Sequence, residues 1–206
     1  MEYLEAGGPE RPKRRARPWA PIIGGVVVFL VVLFGVGTIT VDWVDRNLEM
    51  RQLVSQIEVS EQAMAGTQVD LADAIEAFRA KETPTDADRA ALDEALKAAA
   101  TKGLAGVTKG GALVASVKVV PWHSDIKAAQ KAYLAHNHAW QDYLGKASKD
   151  AAEFSKTQEA VNNTFADAEQ PIRTAVPRPD LFNLGARVQV IYAADPAAPD
   201  GSGQQA

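Results

Sequence analysis

Cysteine is absent from all 206 residues, which removes disulfide frameworks, thiolate zinc sites and cysteine nucleophiles at a stroke. Histidine is scarce, at His123, His136 and His138. On a helix the last two point about 200° apart, so they make a poor chelate, and no metal site is expected. The sequence has no G-x-S-x-G elbow for a nucleophilic serine and no E-x-x-H motif for a di-iron bundle. The glycines around Thr108 and Lys109 lack the G-x-x-x-x-G-K-[ST] spacing of a phosphate-binding loop. Glu58, Glu61, Glu153 and Glu159 read as scattered over helix surfaces. Together these absences predict a protein that is not an enzyme and needs no cofactor.

Positive charge is also short over most of the chain. Residues 42–206 carry 17 basic and 23 acidic groups, a balance of −6. An acidic domain offers phosphates no positive surface, so nucleic acid is not an expected partner. The exception is the first 20 residues, where Arg11, Lys13, Arg14, Arg15 and Arg17 outweigh Glu2, Glu5 and Glu10.

Between these regions, residues 21–41 carry no charge at all. At 1.5 Å per residue this stretch would span about 31 Å, the thickness of a bilayer's hydrocarbon core. Trp19 and Trp43 flank it, where indole rings favour the membrane interface. The basic cluster Arg14, Arg15 and Arg17 resists translocation, so residues 1–20 are expected in the cytoplasm and the remainder outside it. The apolar run is longer than a cleavable signal core and is followed by a poor cleavage context, which favours an uncleaved anchor in the plasma membrane.

Beyond the anchor the pattern is helical, and the expected fold is all-α: a hairpin or bundle with coiled-coil-like seams. Apolar residues recur every seven at Met50, Ile57, Met64, Leu71 and Phe78, while the companion positions Glu61 and Gln68 are polar. Thr83-Pro84-Thr85 stops this first helix, and a second is predicted over residues 85–102, capped by Thr85 or Thr83 with Asp86 and Asp88 in its first turn. Gly103, Gly106, Gly110 and Gly111 are expected to interrupt the chain, with a short strand or loop at 113–120. Ser124 is read as the N-cap of a helix of about 50 residues running to Pro177, its seam set by Ile126, Tyr133, Trp140, Ala147, Phe154, Val161 and Ala168. If the helices break at Gly66 and Gly145 instead, the same seams fold into a four- or five-helix bundle. Residues 177–194 read as a short apolar strand or helix near the membrane, and 195–206 as a disordered tail.

Aromatics are few, which makes the group Tyr133, Asn137, Trp140 and Tyr143 conspicuous. The plain reading is a core anchor with one register-setting asparagine. The functional reading is a pocket or docking surface, since Trp and Tyr dominate binding hot spots. The expected partners are the lipid bilayer and a membrane or envelope protein, with a homo-oligomer as a further arrangement. The leading functional expectation is an accessory or assembly subunit of a cell-envelope complex. The alternative is an extracytoplasmic sensor domain with a ligand pocket between helices.

Overall fold

A computed structural model describes the backbone of residues 19–193 and the side chains of residues 40–193. Arg14, Arg15, Arg17, the tail 195–206 and the side chains of Trp19 and of the apolar run therefore lie outside the described residues. Among the described residues no helix is long and apolar enough to cross a membrane. The chain divides into two compact units, Met1–Asp42 and Trp43–Ala206, and the helical bundle is the second.

Five helices build the described chain, with no strand among the described residues: α1 (Trp19–Arg79), α2 (Asp86–Ser116), α3 (Ser124–Ala147), α4 (Glu159–Ala175) and α5 (Leu184–Ala193). The all-helical expectation holds, and the arrangement is a bundle. α1 is continuous through Gly66, as its unslipped heptad phase requires. It ends just before the Thr83-Pro84-Thr85 stop. Thr85 then caps α2 reciprocally: its hydroxyl accepts from the Asp88 N–H while Asp88 accepts from the Thr85 N–H. Lys81 and Thr85 hold the Asp88 carboxyl well below the usual carboxylate range.

Three expectations are corrected. The glycine cluster does not interrupt α2, which runs on to Ser116; only residues 117–120 are extended, and residues 113–116 are helical. Ser124 is not the N-cap: α3 begins at Ser124, and the cap position falls to His123, whose side chain makes no capping bond. Instead, His123 Nδ1 lies 2.7 Å from the Glu49 carboxylate, which also accepts from the Val120 N–H at 3.0 Å. Finally, the 50-residue helix is two helices, separated by a 3-10 turn at Ala151–Ser155.

That break has a local cause. Ser148, Asp150 and Ser155 all divert backbone groups with their side chains: Ser148 Oγ to the Gly145 carbonyl, the Ala152 N–H to Asp150 Oδ1, and Ser155 Oγ to the Ala152 carbonyl. The seam survives the turn, because Ala147, Ala151, Val161 and Ala168 are all buried. α4 carries Pro171 and ends where Val176 precedes Pro177. α5 is helical rather than strand-like. Asp180 opens it by accepting from the Phe182 and Gly185 N–H groups at 3.1 and 2.8 Å. Burial works against the Asp180 charge, but these amides hold its pKa below the ordinary value.

The core forms two clusters. One gathers Met50, Leu53, Val54 and Ile57 of α1 with Ile126 and Tyr133, Ile172, Leu184 and Val188. The other joins Met64 to Ala100, Val107, Leu144 and Ala147. Each such large side chain contributes about 1.5–3 kcal/mol by leaving water. Asn47 and Trp43 fasten the loop before α5: Trp43 Nε1 and Asn47 Nδ2 donate to the Pro179 carbonyl, and the Leu181 N–H donates to Asn47 Oδ1. The Trp43 indole, expected only at a membrane interface, thus makes a tertiary bond.

Candidate ligand cavity

Between α1, α3, α4 and α5 lies a half-open cavity of about 320 Å³. Its walls are Met64 and Ala65 from α1, Trp140 from α3, Val161 and Phe165 from α4, and Val190 and Ile191 from α5. Gln62, Gln68 and Asn162 give the rim polar character.

The polar group at the centre is Glu61. Its side chain is 24% exposed, and burial among apolar walls pushes its carboxyl up to about 7 despite the hydrogen bond from Tyr133. Tyr133 Oη donates to Glu61 Oε1 at 2.8 Å. Among the described residues, Oε2 has no hydrogen-bonding partner. The expectation that Glu61 sits on a helix surface is therefore corrected. It occupies a seam position of α1, and the bundle turns that position inward.

His136 lies beside it, with Nε2 3.9 Å from Glu61 Oε1. The indole of Trp140 can only donate, and it donates to His136 Nε2 at 3.1 Å. Nε2 is therefore the bare nitrogen, and the proton sits on Nδ1, which faces Thr164 Oγ1 at 3.3 Å. Burial holds the imidazole neutral, with its pKa lowered to about 4. Consequently His136 does not donate to Glu61, and Tyr133 is the carboxylate's donor.

A string of bonds runs from this carboxylate into the α1–α2 contact. Ser60 hydrogen-bonds the Tyr133 hydroxyl, Asn137 Nδ2 donates to Ser60 Oγ at 3.0 Å, and Gln141 Nε2 donates to Asn137 Oδ1 at 2.6 Å. Asn137 also donates to the Val107 carbonyl at 3.0 Å, reading the α2 backbone directly. Its amide fits because position 111 is glycine: a Cβ there would lie 2.9 Å from Asn137 Cγ.

The structure thus separates the four residues singled out by sequence. Trp140 lines the cavity, and Tyr133 bonds the carboxylate at its centre. Asn137 is buried beside Ser60 and the α2 backbone and does not line the cavity. Tyr143 packs edge-on to Trp140 and Phe154 and accepts from Gln158 at 2.9 Å, lining a separate polar groove. Glu61, His136 and Phe165 were not among the four. Their signal was spacing: His136 stands three residues after Tyr133 and four before Trp140, on one helical face. Among the described residues no cluster could hold a metal ion.

No protein-family profile, no curated protein and no solved structure matches this chain.

Proposed function

We propose that this protein is a ligand-binding domain tethered to a cell membrane by residues 21–41 and carried outside the cytoplasm. The observation that carries the binding reading is the cavity itself. It joins apolar and aromatic walls to a small set of polar groups around Glu61, as small-molecule sites do. The tether rests on the uncharged 21-residue run and the basic residues before it.

A second reading, an accessory or assembly subunit of an envelope complex, draws on a different surface. Trp122 is 68% exposed and Leu181 49% exposed, on the loops that pack around Trp43–Glu49. Large exposed apolar side chains of this kind mark contact sites.

The test is a thermal-shift screen of a diverse small-molecule library on the full-length protein in lipid nanodiscs. Binding in the cavity predicts stabilisation by a subset of compounds, lost in Ala65→Trp, which fills the cavity from its own wall. No stabilisation by any compound, together with a stoichiometric cross-linked partner that disappears in Trp122→Ser, would transfer the function to the second reading.

A further inference from the structure

Other surface depressions of the second unit hold an ion pair within their own lining. In the groove beside α3, Lys156 pairs with Glu153. In the cleft near the end of α4, Arg46 pairs with Asp125 at 2.7 Å and Arg173 with Glu169 at 2.7 Å. The cavity between α1, α3, α4 and α5 differs. Glu58 on its wall is answered by Arg187, which donates from Nε at 2.8 Å and from Nη2 at 2.5 Å. Glu61 has no lysine or arginine partner among the described residues, its neighbour His136 is neutral, and no lysine or arginine lines the cavity.

An open carboxylate oxygen facing an aromatic-walled space is a recognition element for positive charge. The ring faces of Trp and Phe attract cations, and a desolvated carboxylate forms a strong charge-assisted bond to an ammonium group. An anionic ligand would meet Glu58 and Glu61 with no cation to receive it. A purely apolar ligand would leave Glu61 Oε2 unpaired, at a cost of about 1–3 kcal/mol.

We infer that the cavity takes a small organic ammonium ion with an apolar body, its nitrogen on Glu61 Oε2 and its skeleton against Trp140 and Phe165. This rests on the ligand-binding reading above and narrows it to a chemical class. Tyr133 acts as a positioning residue, holding the carboxyl through Oε1 and leaving Oε2 for the ligand. The titratable groups facing Glu61 are Tyr133 and His136 from α3, Tyr192 from α5, and Glu58 from α1 with its partner Arg187; α4 presents Val161, Asn162 and Phe165. Because burial raises the Glu61 carboxyl to about 7, an arriving cation expels a proton from the fraction of molecules that still hold one.

The experiment is calorimetric titration of the full-length protein in nanodiscs, against empty nanodiscs as blank. The probes are phenethylammonium, 3-phenylpropylammonium and 4-phenylbutylammonium, each paired with the alcohol of the same skeleton. The expected result is at least one ammonium ion binding tenfold or more tightly than its alcohol. Its enthalpy should depend on the buffer's own ionisation heat, reporting the released proton. Glu61→Gln should abolish the preference and the buffer dependence while leaving alcohol binding in place, and circular dichroism would establish that this variant is folded. Alcohols binding as well as or better than the ammonium ions would overturn the cation inference and leave the ligand-binding reading standing. So would a preference that persists in Glu61→Gln. No binding by any probe would overturn the inference. If the library screen is also silent, the ligand-binding reading falls with it.

Discussion

One helix, α1, makes two very different contacts within nine residues, 60–68. Toward α2 it presents Ser60, Ala63 and Thr67, which meet Gly110, Gly106 and Gly103; an added carbon would clash at 110 and 103 and fit only tightly at 106. Toward α3, α4 and α5 it presents Glu61, Met64, Ala65 and Gln68, which stand around open space. Small residues let two backbones approach until nothing can enter; large and polar ones hold the others apart. The dry contact fixes where α1 lies, and the loose one is then left as a cavity whose walls do not collapse.

The comparison can be broken from its tight side. A Cβ at position 110 would lie 2.6 Å from Ser60 Oγ and 2.9 Å from Ser60 Cα, a backbone atom that no rotamer change can move. Gly110→Val is therefore expected to cost about 3 kcal/mol or more, through overpacking, and to register as a large fall in Tm or a failure to fold. Ordinary helix propensity predicts the opposite sign, since glycine is about 1 kcal/mol worse than alanine in a helix. A Tm for Gly110→Val at or above the parent value would show that the two helices do not meet as described.

The loose side is tested by pH. The neutral carboxyl of Glu61 is favoured in the folded state up to about pH 7, whereas unfolded it ionises near 4.5. Between those values the folded protein holds a proton that the unfolded chain has lost, so stability falls as pH rises from 4.5 to 7 and the full penalty applies above that. Glu61→Gln escapes the penalty. It is expected to match the parent near pH 4.5 and to exceed it by about 3 kcal/mol above pH 7, about 6–12 °C in Tm. His136 works the other way: its folded pKa is lowered from 6.5 to about 4, so its contribution is lost as pH falls through that window. The two slopes oppose each other in the parent, and Glu61→Gln leaves the His136 slope alone. A pH-independent difference between the two proteins would mean that Glu61 is solvated as an ordinary carboxylate.

The smallest effect supplies the control. Gly145 sits in α3 with nothing within 4 Å of an added Cβ. Gly145→Ala should raise stability by about 0.5–1 kcal/mol in the same melts, because only the helix propensity term remains.

These glycines also show how far the sequence was readable. Gly145 was a candidate break, and α3 ends two residues beyond it; Gly103, Gly106, Gly110 and Gly111 looked like a break too, yet α2 runs through them all. Propensity is local, and the contact that overrides it comes from Ser60 and Thr67, more than 35 positions away. By contrast, Thr85, Pro84 and the heptad positions Met50, Ile57 and Met64 act within a turn or two of themselves, and each behaves as its chemistry dictates. The cavity falls between these cases. Glu61 was visible as a polar residue on an apolar seam, but only the placement of Tyr133, His136 and Phe165 on two other helices shows which side of the seam stays open.

The hydrogen bond from Trp140 to His136 gives the cavity an optical voice. An imidazolium quenches indole emission far more strongly than a neutral imidazole, and the bare Nε2 that would take the proton is the atom on which the Trp140 N–H rests. The other tryptophans, at positions 19, 43 and 122, lie elsewhere in the sequence, and Trp43 and Trp122 do not line this space. Any event that protonates His136, or that lays a cation against the Trp140 ring, is written into the fluorescence of the wall that contains it. This chain can be interrogated without a label.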